Sequence, residues 1–199
     1  MSAPRIPVAS AVCVRTRGRH VMHGRFREIT AGVALAGVAA MAAAALAWAA
    51  GARINTTRSI PVGLYWASSA AVEKGAYVLF CPPQAPVFDE ARARGYIGAG
   101  FCPGGYGYMM KRVAAAQGDV VAVSEVGVWV NGALLPASAP RTVDAGGREL
   151  PRFHADAYQF GAADVLLMSP LSRTAFDARY FGPLDRAQIR TVLTPLVTW

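Results

Sequence analysis

From Ile29 to Ala52 the chain runs 24 residues without a charged side chain, ITAGVALAGVAAMAAAALAWAAGA. At about 1.5 Å per helical residue such a run can cross a hydrocarbon core of about 30 Å, where a lone segment must satisfy its own backbone as a helix. It reads as a single membrane span, 29–52, which leaves a short leading tail, 1–28, and one following body, 53–199. The tail carries Arg5, Arg15, Arg17, Arg19, Arg25 and Arg27 against a single acid, Glu28. An arginine excess of this kind holds its side of the membrane in the cytoplasm, so the body lies outside. The alternatives are a buried core helix and a cleavable signal peptide, since Ala47-Trp48-Ala49 has the A-x-A form of a cleavage site. The run exceeds the apolar stretch of about 7 to 15 residues usual in a signal peptide, which favours an uncleaved anchor. Met22 is a second candidate start.

A chain of 199 residues has room for one compact domain plus an appendage, and 54% hydrophobic against 16% charged residues is apolar for a soluble protein. The formal net charge of +8 does not imply a polyanion partner. Residues 1–28 account for +5 of it, and the remaining +3 forms no long basic stripe interleaved with aromatics. Nucleic acid is therefore not an expected partner. Of the three cysteines, Cys13 falls in the tail, while Cys81 and Cys102 fall on the outer side, where oxidation is permitted. A Cys81–Cys102 disulfide is expected, closing a loop of about twenty residues; the alternative is a pair of buried thiols. With only the distant His154 beside them, these cysteines make a poor metal-ligand set, so no metal and no cofactor are expected.

The body reads as mainly β, with short apolar runs separated by turn chemistry. Strand candidates are Gly75 to Phe80, stopped by Pro82-Pro83, then Val120 to Val123, Val126 to Val130, Val165 to Met168 and the C-terminal Val192 to Trp199. Asn131-Gly132 supplies the positive φ that a two-residue hairpin turn requires. Ala85 to Arg94 fits one short amphipathic helix. Six glycines between Gly95 and Tyr108 invite a phosphate-loop reading, but Met110-Lys111-Arg112-Val113 continues as strand-like sequence where such a loop needs a helix opening on Lys and Ser or Thr. No Gly-x-Ser-x-Gly elbow occurs, and His154, read as a surface or strand residue, is the one histidine beyond the apolar run.

The chemistry concentrates on Ser59 and Lys111. A serine hydroxyl is a weak nucleophile near neutral pH and needs a base to take its proton. Lysine serves only when uncharged, and burial against apolar side chains is the usual way to lower its pKa from about 10.4. Met109-Met110 before Lys111 and Val113-Ala114-Ala115-Ala116 after it can supply that dry setting.

Four stretches from Ser59 to Pro183 carry a family likeness. Lys111-Arg112-Val113 followed by Gly118-Asp119 resembles the lysine box of the signal-peptidase-I-like serine peptidases. Ser59-Ile60-Pro61-Val62-Gly63-Leu64-Tyr65 is similar to the nucleophile box of their TraF-type branch, which matures pilin subunits in bacterial conjugative transfer; there Pro61 and Gly63 would set the turn that presents Ser59. Phe176-Asp177-Ala178-Arg179-Tyr180-Phe181-Gly182-Pro183 is close to the ending of the superfamily.

The resemblance implies an antiparallel β-sheet catalytic domain in the periplasm, anchored in the inner membrane by its N-terminal helix. It implies a Ser59/Lys111 dyad with an oxyanion hole made by the Ser59 backbone N–H and the Thr57 hydroxyl, Thr56 being a weaker competitor for that place. Ser59, a few residues past the anchor, would sit near the membrane surface where a substrate's apolar segment emerges. Asp177 is implied at the site, either holding Arg179 in an ion pair or orienting Lys111. Ala175 departs from the family, standing where larger signal peptidases have a lysine-orienting serine, and leaves Asp177, Thr174 or Ser172 for that task. The implied partners are the membrane, a pilin or other exported precursor, and components of a conjugation apparatus. In some members the substrate's own terminal amine, rather than water, resolves the acyl-enzyme. A general signal peptidase and a non-catalytic envelope scaffold are the rival readings.

Overall fold

In the computed structural model residues 19–199 are described, with side chains from Glu28 onward. The expectations for Arg5, Cys13, Arg15 and Arg17 lie outside the described residues, as do those for the side chains of Arg19, Arg25 and Arg27. A long helix, α1 (Arg19–Ala50), opens the described chain. Its stretch Glu28–Ala50 is long and apolar enough to cross a membrane, and its large apolar side chains are exposed, Val33 and Leu46 among them. The helix ends two residues short of the expected boundary because Gly51, at φ +120°, turns the chain and Ala52 already opens the first strand. The chain divides into two compact units at Ala47/Trp48, and the second, Trp48–Trp199, holds all the strands found among the described residues.

That unit is mainly antiparallel β, as the sequence implies. Its strands are β1 (Ala52–Asn55), β2 (Gly63–Ser68), β3 (Tyr77–Phe80), β4 (Met109–Ala115), β5 (Val120–Ser124), β6 (Gly127–Val130), β7 (Ala133–Leu134), β8 (Ala155–Gln159), β9 (Asp164–Met168), β10 (Leu184–Asp185) and β11 (Ile189–Thr198). Two short helices, α2 (Pro86–Ala93) and α3 (Ala178–Phe181), interrupt them. Seven strands form one sheet in the order β1-β2-β11-β3-β4-β9-β10, and four form a second in the order β7-β6-β5-β8. The C-terminal β11 inserts between β2 and β3, so the last strand stitches the nucleophile's neighbourhood to the lysine's.

Local chemistry explains the register. Asn131 and Gly132 adopt φ of 51° and 79° and turn β6 tightly into β7. β8 escapes the sequence reading because four of its five residues are exposed, and it carries no apolar run. Gly63 allows a close approach at the start of β2: a Cβ there would stand 2.2 Å from the Val197 carbonyl oxygen on β11. α2 takes Pro86 in its first turn, where a missing N–H costs nothing, and buries Phe88 and Ala91. Behind it a disulfide joins Cys81 to Cys102, with Cα atoms 5.4 Å apart, and ties the segment containing α2 to the end of β3.

The core falls into three clusters. The largest packs Val78 and Phe80 of β3, Val113 of β4 and Leu167 of β9 against Phe88 and Tyr180. A second joins the two sheets through Val121, Val123, Val128 and Leu166. The smallest, Ile60, Tyr65, Leu79 and Leu193, lies under the loop between β1 and β2.

Candidate active site

The β1–β2 loop is organised by one buried amide. Asn55, 4% exposed, closes β1 and turns its side chain into the loop beyond it. Its Nδ2 donates to the carbonyls of Thr57 (2.7 Å), Ile60 (3.0 Å) and Pro61 (3.0 Å), while Oδ1 accepts from the Thr57 backbone N–H (3.2 Å) and the Thr57 hydroxyl (3.0 Å). Ile60, wholly buried, pins the far side, and the Tyr65 hydroxyl donates to the Pro61 carbonyl at 2.6 Å. Held between them, Ser59 is partly exposed, with Oγ 2.8 Å from Thr57 Oγ1. Among the described residues no acceptor takes the Ser59 backbone N–H.

Lys111 is placed by strand alternation. Along β4, Met109, Lys111, Val113 and Ala115 are buried, whereas Arg112 is exposed, so the amine is carried inward on an otherwise apolar face of a central strand. It is 4% exposed, and among the described residues no carboxylate lies within ion-pair distance. Burial lowers its pKa to about 8, with Asp177 opposing that shift and Arg179 adding to it. Its hydrogen bond goes to Ser169 Oγ at 2.8 Å.

Asp177 and Arg179 are both fully buried and form a two-pronged ion pair, Nε to Oδ1 at 2.8 Å and Nη2 to Oδ2 at 2.7 Å. Asp177 caps α3 by accepting the Arg179 N–H, and its Oδ2 also accepts the Ser169 backbone N–H at 3.0 Å. Arg179 spends its remaining donors on the carbonyls of Ala137 (2.9 Å) and Ser172 (2.8 Å), fixing two loops at once.

Ser59, Thr57 and Lys111 line one cleft of about 760 Å³, with apolar walls that include Ile54, Met110, Leu150 and Phe176. No hydrogen bond joins Ser59 to Lys111 in this resting arrangement; each hydroxyl or amine is engaged with its own neighbour. Apo sites commonly hold such partners apart until substrate arrives. Ser172 and Thr174 bond to each other at 3.3 Å rather than to Lys111, and Asp177 reaches the lysine through its field and through Ser169 rather than by direct contact. His154 is exposed and lies 3.3 Å from Asp156, on the edge of β8. Sequence reading missed Asn55 and Ser169, whose signals lie in loop geometry and strand register rather than in a box of residues.

The model of the family "Signal peptidase, peptidase S26" matches residues 26–197. The chain belongs to the peptidase S26 signal-peptidase family. Within it the likeness is to TraF proteins. One plasmid transfer protein TraF of Escherichia coli is 65% identical over 173 residues, covering 87% of this chain and 97% of its own, and a second is 61% identical over 175 residues, covering 88% and 99%. A probable conjugal transfer protein TraF of Sinorhizobium fredii is 35% identical over 200 residues, covering 98% of both. A signal peptidase I crystal structure from Enterococcus faecalis aligns with 64% of this chain and 100% of its own at 15% identity, with a TM-score of 0.35. This S26 peptidase is thus a TraF-type member, with a mainly β body and one N-terminal helix apolar enough to span a membrane.

Proposed function

We propose that this chain is a membrane-anchored serine endopeptidase in which Ser59 is the nucleophile and Lys111 the general base, and that its substrate is a membrane-inserted pilin precursor of a conjugation system. One observation carries the reading: a lysine amine buried without a carboxylate partner opens on the cleft that holds Ser59. An amine with a pKa of about 8 is neutral in roughly a tenth of molecules at pH 7, against roughly one in a few thousand for a solvated lysine.

In the reaction, Ser59 Oγ turns from Thr57 toward Lys111 and attacks the scissile carbonyl as its proton passes to Nζ. The free Ser59 N–H and the Thr57 hydroxyl, turned from Asn55, stabilise the oxyanion. The C–N bond then breaks as Lys111 returns the proton to the leaving amine. The neutral lysine next activates the group that resolves the acyl-enzyme. Asp177 and Arg179 keep the surrounding loops in register, while Pro61 and Gly63 shape the turn under Ser59.

The apolar part of α1 serves as the inner-membrane anchor, residues 1–28 as a cytoplasmic tail, and the β body as the periplasmic catalytic domain. A disulfide in that body and the arginine-rich leading flank both support this orientation. The relatives are named plasmid transfer and conjugal transfer proteins, which supports a role beside a conjugation apparatus.

Mass spectrometry of the candidate pilin from cells carrying the wild-type chain, Ser59→Ala or Lys111→Ala tests the proposal. Wild-type cells are expected to yield a shortened or circular product and both variants the full-length precursor. Unchanged processing in both variants would favour an envelope scaffold that keeps the fold without the activity.

A further inference from the structure

The pairing of β4 with β9 sets Arg112 opposite Met168 and Val113 opposite Leu167. Continued by one residue, this antiparallel register brings position 169 opposite position 111. Directly opposed side chains on one face of an antiparallel pair have Cβ atoms about 4.5–5.5 Å apart, so a short hydroxyl at 169 can reach a folded-back amine at 111. Ser169 Oγ does so at 2.8 Å, and Ser169 is itself 1% exposed. Its backbone is fixed from the other side. The Ser169 N–H donates to Asp177 Oδ2, whose carboxylate is clamped by the Arg179 fork.

We propose that Ser169 is the positioning residue for Lys111, accepting one amine N–H so that the nitrogen lone pair is directed at Ser59. A neutral primary amine has two N–H bonds and one lone pair, and an amine free to rotate about its last bond presents that lone pair to Ser59 only part of the time. Anchoring one N–H at a buried hydroxyl removes that freedom. Ala175 leaves no hydroxyl to compete from its own place in the cleft wall, and Ser172 and Thr174 are engaged with each other. The buried ion pair of Asp177 and Arg179 thereby acts on the base at one remove, by fixing the backbone that presents Ser169.

This inference rests on Lys111 being the base, and the test separates the two. The chain has only two lysines, Lys74 and Lys111, so in full-length protein carrying ¹³C-lysine in detergent micelles two side-chain resonances can be titrated directly. Lys74 lies 3.0 Å from Asp119 on the surface and serves as the internal reference. The charged groups acting on Lys111 are Asp177 and Arg179, and neither is altered by changing Ser169. A hydroxyl acceptor favours the ammonium over the amine, so Ser169→Ala is expected to lower the Lys111 midpoint by roughly one pH unit while Lys74 stays in place.

With a penem β-lactam as probe, the Ser59 acylation rate on the high-pH plateau, read by intact-protein mass, should fall about ten- to a hundredfold in Ser169→Ala. The penem concentration for half-maximal rate should hardly move. Ser169→Thr, which keeps the hydroxyl, should restore most of both. A Lys111 midpoint or a plateau rate unchanged in Ser169→Ala would overturn the positioning role, even if the melting temperature dropped. Wild-type protein left unacylated at Ser59 would instead sink the dyad reading and this inference with it.

Discussion

Lys111 shows how a single residue can oppose the fold that contains it. Its folded pKa lies below the unfolded value of about 10.4 because burial disfavours the charge. Between about pH 8 and 10.4 the unfolded chain binds a proton that the folded chain does not, so stability rises with pH across that window. Below pH 8 both states are protonated and the full penalty remains, about 3 kcal/mol by linkage. Lys111→Met should therefore stabilise the protein by about that amount at pH 7 and hardly at all above pH 10.5, as measured by urea unfolding at the two pH values. The sequence marks Ser59 and Lys111 as candidates because each sits in a compact box of neighbours with a chemical reason to be there, and the two line one cleft. Ser169 could not be read in that way: it is an ordinary serine before a proline until β4 and β9 are paired. Asn55 was equally hidden, since five hydrogen bonds to three nearby residues leave no pattern in the residue types themselves.

Elements were legible where hydrophobicity or turn chemistry marked them. β3, β5, β6, β9 and β11 are apolar runs, α2 opens on a proline, and the β6–β7 turn is announced by Asn131-Gly132. β8 and the two-residue β7 and β10 are half-exposed or too short for a period to form. α2 and the glycine-rich stretch after it are tied to the sheet by the Cys81–Cys102 disulfide, which closes a 21-residue separation and holds Tyr96 and Ile97 in the cleft wall. Removing that link by Cys81→Ala with Cys102→Ala should cost about 3 kcal/mol in the chain-entropy picture, seen as a lower denaturation midpoint. If the wall formed by this loop shapes the substrate site, the same variant should also raise KM more than it lowers kcat for precursor cleavage.

At the scale of the whole molecule, the division into an apolar helix and a β body was written in the charge distribution, with all the leading arginines on one side of a 24-residue uncharged run. What no local pattern contained was convergence. Ser59 comes from the loop after an edge strand and Lys111 from a central strand, and only the sheet order brings them to one cleft. Ser169, just past the next strand over, and Asp177, a helix cap, lie buried behind Lys111 and reach it through a chain of hydrogen bonds. The proposed reaction requires that a neutral amine at 111 takes its proton from the hydroxyl at 59. The most direct measurement is the pH dependence of Ser59 acylation by a penem probe in the full-length protein, followed by intact mass. The rate should rise tenfold per pH unit below about pH 8 and level off above it. A rate that climbs without a break to pH 10 and beyond, or acylation that persists unchanged in Lys111→Ala, would contradict a Ser59/Lys111 dyad.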